Sequence, residues 1–96
     1  MKENDLSYAA GLMDGEGCIS ISTDQRLSVT LAMADNEAVD WLHETFGGSV
    51  RTFFNKPNGR LMYQWTATAD IQYMFLESIL SYLKLQRRVK TVRVAL

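Results

Sequence analysis

The residues best equipped for chemistry are two carboxylates, Asp14 and Glu16, set on either side of Gly15 and followed by Gly17. They close the run Leu6-Ser7-Tyr8-Ala9-Ala10-Gly11-Leu12-Met13, which is apolar or small at nearly every position. A helix C-terminus carries partial negative charge, so acids left unpartnered there are electrostatically unfavourable. A divalent cation relieves that cost, and hard cations take oxygen ligands such as carboxylates. Softer metal chemistry has no support, because Cys18 and His43 are the single cysteine and histidine and zinc spacing is absent. Cys18 cannot close an internal disulfide and reads as a small strand residue.

The basic residues are unevenly placed. Net charge is −1, which by itself does not favour nucleic acid. Residues 1–50 hold two basic and nine acidic side chains, while residues 51–96 hold eight basic and two acidic ones. From Ser81 onward, Lys84, Arg87, Arg88, Lys90 and Arg93 occur without an acid. Two readings stand for this stretch: a solvated charged helix, or a local positive surface.

The elements that must position these groups follow from periodicity. Asn4 or Asp5 can cap a first helix through Met13, with Gly15 and Gly17 breaking it. From Cys18 the period becomes two, with Ile19 and Ile21 on one face and Cys18, Ser20 and Ser22 on the other. Asp24-Gln25 suits a hairpin turn, and a second strand carries Leu27, Val29, Leu31 and Met33 opposite Arg26, Ser28, Thr30 and Ala32. Asp35 or Asn36 caps a second helix with Val39, Leu42, His43 and Phe46 at helical spacing, ended by Gly47-Gly48. Strands over 49–54 and 60–68 flank the turn Asn55-Lys56-Pro57-Asn58-Gly59. In the second of these, Leu61, Tyr63, Trp65 and Ala67 point to the core. Asp70 caps a third helix with Ile71, Met74, Phe75, Ile79 and Leu83. A last helical piece holds Val89, Val92 and Leu96. The order α-β-β-α-β-β-α-α predicts an α+β fold with a four-stranded antiparallel sheet and helices on one face.

The open face of that sheet would carry Ser20, Ser22, Arg26, Ser28, Thr30, Ser49, Arg51, Arg60, Gln64, Thr66 and Thr68. A face of hydroxyls, amides and guanidiniums almost free of carboxylates suits base edges and phosphates in a DNA groove. A plain polar face is the alternative. In the first helix, Ala9, Ala10 and Gly11 allow close backbone approach, and Leu12 and Met13 extend the apolar area to more than one side. Such a helix needs two partners, its own core and another helix. With one such segment per chain, the second helix would come from another copy across a two-fold axis.

The segment Ala9-Ala10-Gly11-Leu12-Met13-Asp14-Gly15-Glu16-Gly17 resembles the nine-residue motif of the LAGLIDADG homing endonucleases. Ala replaces the opening Leu, Met replaces Ile, Gly replaces Ala, and Glu replaces the second acid. The similarity continues through hairpin 18–33, helix 35–48 ending in Phe-Gly-Gly, hairpin 49–68 and basic segment 84–93. It implies one domain over residues 1–96, acting as one protomer of a homodimer of the single-motif type.

The resemblance further implies a site-specific endonuclease that cuts both strands of a long pseudo-palindromic duplex by metal-dependent phosphodiester hydrolysis. Mg2+ is the implied cofactor, with Mn2+ as a substitute and Ca2+ as an ion that binds without supporting cleavage. Glu16 falls at the metal-ligand acid, with Gly15 beside it, and Asp14 more naturally supports the helix end. Asp35 falls where the family places a polar residue near the catalytic water, and it reads equally as a helix cap. The basic residue that assists at the phosphate falls in the stretch Lys84-Leu85-Gln86-Arg87. The closest register gives Gln86, a departure that leaves Lys84 or Arg87 to serve. DNA contacts would come from Ser20, Ser22, Arg26, Ser28, Thr30, Arg51, Arg60, Gln64, Thr66 and Arg88. The dimer interface would comprise Ala9, Ala10, Gly11, Leu12 and Met13.

A second reading keeps the scaffold without cleavage, as a DNA-binding regulator or an intron-splicing cofactor. A dimeric protein-contact module is the third. The 47% apolar content supports a folded core. The charged start and the lack of a long apolar run argue against secretion and membrane insertion. The expected location is cytoplasmic, organellar, or the host cytoplasm for a phage-borne copy.

Overall fold

The two periodicities separate in space as they do along the chain. The computed structural model describes residues 2–96, with Gln86 and Arg88 described in their main chain alone. The elements run α1 (Glu3–Glu16), β1 (Gly17–Ile21), β2 (Leu27–Met33), α2 (Asn36–Phe46), β3 (Ser49–Asn55) and β4 (Arg60–Thr66). Then come α3 (Gln72–Ile79), a 3-10 turn (Leu80–Tyr82) and α4 (Gln86–Ala95). The sheet order is β1-β2-β4-β3, and every neighbouring pair is antiparallel.

Register explains the two faces. Ile19 lies opposite Val29, Leu31 opposite Trp65, and Trp65 opposite Val50, so one face collects the branched and aromatic residues. Ile19, Val29, Leu31, Trp65 and Ala67 are buried there against Ala9, Ala10 and Met13 of α1, Val39 and Leu42 of α2, and Phe75 and Ile79 of α3. Val92 of α4 joins the same core. Rings link the layers in a chain of edge or tilted contacts. Trp65 meets Phe75 at 4.9 Å, Phe75 meets Phe46 at 4.8 Å, Phe46 meets Trp41 at 6.0 Å, and Trp41 meets Tyr8 at 4.7 Å. Such pairs add about 0.5–1.5 kcal/mol each beyond their area burial.

Several local expectations shift. Helix α1 starts at Glu3 with Lys2 as N-cap, so neither Asn4 nor Asp5 caps it, and it continues through Gly15 to Glu16. A helical glycine costs about 1 kcal/mol relative to alanine, too little to end a helix whose inward face is fully packed. The cap role of Asp70 is also corrected. Helix α3 begins after Ile71, the Thr68 carbonyl accepts from the Ile71 and Gln72 amides, and the Asp70 carboxylate accepts from the Thr68 hydroxyl. His43 lies on the exposed side of α2, where Ala38 takes the inward position instead. β4 ends at Thr66, although the Ala67 amide still bonds the Val29 carbonyl at 2.9 Å.

Candidate functional site

The last turn of α1 sends its two acids to different tasks. The Asp14 carboxylate reaches across the fold and accepts from the Lys84 amide at 2.8 Å and the Leu85 amide at 3.3 Å. These amides precede α4, whose N-cap Leu85 offers no side-chain acceptor of its own. Asp14 thereby caps the start of the basic segment and holds the main chain of Lys84 against the end of α1. Glu16 is exposed, with no hydrogen bond or ion pair among the described residues. Gly17, the C-cap, turns the chain directly into β1 while its amide bonds the Met13 carbonyl.

Glu16 opens on a cleft of about 230 Å3 shared with Ala32, Met33 and Ala34 at the end of β2. Asn55, Asn58, Arg60 and Met62 of the β3–β4 hairpin form its other side. Asp35 lies one residue beyond Ala34, exposed, and its Oδ1 accepts from the Glu37 amide at 2.9 Å as the N-cap of α2. Among the described residues no three His, Cys, Asp or Glu side chains cluster as a metal cage. One chain therefore presents one hard carboxylate, Glu16, beside amide oxygens. That donor set fits Mg2+, which is held by one or two carboxylates together with substrate phosphates and water.

The open face of the sheet is built by the same register that builds the core. Cys18 pairs with Thr30, Thr30 with Thr66, and Thr66 with Ser49 across all four strands. Ser20 faces Ser28, and Ala32, Gln64 and Arg51 form a parallel row. Arg51 donates to Gln64 Oε1 at 3.2 Å and its guanidinium sits 5.0 Å from the Phe53 ring centroid. Gln64 in turn donates to Thr66 Oγ1 at 3.4 Å. A pre-ordered row of Arg, Gln and Thr results, bounded by Met62 and Phe53.

Ser22 and Arg26 lie beyond the strands, in the β1–β2 turn. The Ser22 hydroxyl donates to Asp24, and Arg26 pairs with Asp24 at 3.4 Å. The Ser22 hydroxyl, and less strongly backbone amides, hold the Asp24 carboxyl below its ordinary range against the opposing effect of desolvation.

The α1 surface also differs from expectation. Ala9, Ala10 and Met13 are fully buried in the chain's own core and leave no surface exposed on α1. The outward stripe is Ser7, Gly11 and Gly15, flanked by exposed Tyr8 and half-buried Leu12. A Cβ at Gly11 or Gly15 would meet nothing within 4 Å. Of the five expected interface residues, Gly11 and Leu12 remain on the accessible side, and Gly15 joins them.

The structure thus brings Glu16, Gly15 and the main chain of Lys84 to one end of α1, and sets Ser20, Ser28, Thr30, Arg51, Arg60, Gln64 and Thr66 on one sheet face. Arg87 is exposed near the start of α4. The roles expected of Gln86 and Arg88 fall on side chains outside the described residues. The role of Asp14 toward α4 was not legible, because its partners lie some seventy positions away along the chain. The helical phase of Gly11 and Gly15 was the signal that could have located the outward stripe.

Among the described residues no helix is long and apolar enough to cross a membrane. Neither a protein-family model nor a curated protein matches the sequence. Solved structures do. The homing endonuclease I-CvuI in complex with the I-CreI target in the presence of 2 mM Mg, with the DNA not cleaved, is similar over 97% of this chain at 20% identity and TM-score 0.63. The same endonuclease with its own target in the presence of 2 mM Ca is similar over 96% at 21% identity and TM-score 0.64. This chain spans 64% of the length of either. With its antiparallel order β1-β2-β4-β3 and four helices among the described residues, the chain has the fold of the LAGLIDADG homing endonucleases.

Proposed function

We propose that this chain is one protomer of a homodimeric, Mg2+-dependent endonuclease that cuts a long, pseudo-palindromic DNA site. The observation that carries the reading is Glu16: an exposed carboxylate, unpartnered among the described residues, at the end of a helix whose outward stripe is Ser7, Gly11 and Gly15. Two such helices packed along Gly11 and Gly15 would bring two Glu16 side chains near one axis. Each copy would then supply one acid to a shared centre.

Glu16, with Gly15 beside it, would hold the cation together with the DNA backbone. When bound, the ion supplies charge neutralisation at the scissile phosphate and the acidity that makes water a nucleophile at neutral pH. The chain's own residues do the rest. Arg51, Gln64 and Thr66, already linked, would meet base edges in the major groove, with Ser20, Ser28 and Thr30 beside them. Lys84, held by the Asp14 contact to its amide, and Arg87 would face phosphates. A two-fold protein reads two half-sites related by the same symmetry.

A second reading, a binding protein that does not cleave, is favoured by Asp35. Its carboxylate is engaged in capping α2, which leaves Glu16 as the one unengaged acid beside the cleft among the described residues. Incubation with a randomised duplex library and Mg2+, followed by sequencing of the ends produced, decides between them. Defined ends that disappear in Glu16→Gln, while binding persists in Ca2+, support the nuclease. Selective binding with no ends in Mg2+ or Mn2+ leaves the regulator or splicing cofactor.

A further inference from the structure

Of the three arginines assigned to the sheet face, two are already engaged. Arg26 is paired with Asp24 at 3.4 Å, and Arg51 is bonded to Gln64 and stacked over Phe53. The Arg60 side chain has no partner among the described residues, and it faces the cleft that Glu16 also lines. Its launch point is nonetheless well fixed. The Arg60 amide donates to Asn58 Oδ1 at 2.9 Å, the Gly59 amide donates to the Asn55 carbonyl at 2.7 Å, and Arg60 opposes Asn55 as the last pair of the hairpin.

Glu16 and Arg60 share about 230 Å3 of cleft without forming an ion pair within 4.0 Å. Opposite charges that face one small space without touching leave room for a group that satisfies both. A phosphate would do so: its oxygens would take the guanidinium fork directly, and a divalent cation held by Glu16 would supply the positive charge that lets the phosphate lie beside the carboxylate. A base edge suits the place less well, because the cleft meets the row of Arg51, Gln64 and Thr66 only through the apolar Ala32 and Met62, while its polar lining is Glu16, Asn55, Asn58 and Arg60.

We propose that Arg60 is a backbone clamp that holds a DNA phosphate at the Glu16 centre, and is not a reader of base sequence. The proposal rests on the DNA-cleaving reading above and adds to it a residue from the β3–β4 turn. It assigns that turn to the acidic centre and leaves base recognition to the engaged row.

The test uses the full chain and a labelled library of randomised duplexes in Ca2+, with binding followed by anisotropy across a salt series and the bound sequences recovered. Arg60→Ala should bind roughly tenfold more weakly on every recovered sequence, as expected when a charge-assisted phosphate bond is removed. Its salt slope should become shallower by about 0.9 for each phosphate no longer neutralised, with the recovered base preference unchanged. Arg60→Lys should keep the slope and part of the affinity. In a Glu16→Gln background the Arg60→Ala penalty should shrink to about twofold, because residues acting on one bound group are not additive. Relaxed preference at particular base pairs with an intact slope would make Arg60 a base reader and overturn the proposal. Unchanged binding, or full additivity with Glu16→Gln, would overturn it as well. Failure of the parent protein to bind any duplex sinks the DNA reading itself, whereas normal parent binding with an indifferent Arg60→Ala sinks this inference alone. Arg60 is exposed, and circular dichroism of the variant confirms that the comparison is between folded proteins.

Discussion

Asp14 and Glu16 are chemically near-equivalent and both end α1, yet the fold gives one a structural post and leaves the other free. The distinction is thermodynamically testable. Asp14→Ala removes the side-chain acceptor of the exposed Lys84 and Leu85 amides and should lower stability by about 0.5–2 kcal/mol, as for loss of a helix cap, seen as a lower urea midpoint. Glu16→Gln removes an exposed negative charge from a helix C-terminus and should change stability by less than about 0.5 kcal/mol, or raise it slightly. Equal losses in both variants would contradict the division. Gly48 is a second residue whose role is set by neighbours. It holds φ +87, and a Cβ there would strike the Thr66 carbonyl oxygen and come within 2.9 Å of Trp65 Nε1. That indole donates to the Gly47 carbonyl at 2.8 Å, so the clash falls on a packed hydrogen bond. Gly48→Ala should cost at least about 2 kcal/mol, measurable by chemical denaturation. Sequence reading could see that Gly47-Gly48 ends α2. It could not see the tryptophan beneath, because that contact joins residues far apart in the chain.

At the scale of elements, alternation makes the strands legible, and the cap at Asp35 is legible from its place before a helical period. The phase of α1 is not. A helix of small and apolar residues has no strong amphipathic direction, so composition alone does not say which of Ala9, Ala10, Gly11, Leu12 and Met13 turn inward. Packing resolves it: Ala9, Ala10 and Met13 fill the space over the sheet, and Gly11 and Gly15 are left outside. Opposite responses should follow. Ala10→Leu overfills the protomer core and should lower the melting temperature, with a cost of about 1–3 kcal/mol. Gly11→Ala meets no neighbour in the protomer and should stabilise an isolated chain by up to about 1 kcal/mol. In the proposed dimer, Gly11→Leu should leave each chain folded and abolish helix-to-helix pairing. Sedimentation of these variants beside their melts separates the two surfaces. A Gly11→Leu protein that still sediments as a dimer would place the interface elsewhere.

For the whole molecule, the order of elements is recoverable because periods of two and 3.6 residues alternate cleanly along the chain. The surfaces are harder, since they depend on which residues the fold brings together. The acidic first half and the basic second half meet at α1 and on the sheet. Asp14 fastens the start of the basic segment to the acidic end of α1, while Arg51 and Arg60 carry positive charge onto the sheet face. Whether the segment from Lys84 onward is merely solvated or meets a polyanion can be decided by ionic strength. Phosphate contacts release counterions, so each one contributes about 0.9 to the slope of log affinity against log salt. The double variant Lys84→Ala with Arg87→Ala should bind all recovered duplexes more weakly by a similar factor and show a shallower slope. Gln64→Ala should act in the opposite manner, with the slope preserved and discrimination weakened at particular base pairs, at about 1–3 kcal/mol for a good bidentate contact. If the double variant keeps the parent slope, the basic stretch is an ordinary hydrated helix, and the proposed DNA contacts fall to the sheet face without it.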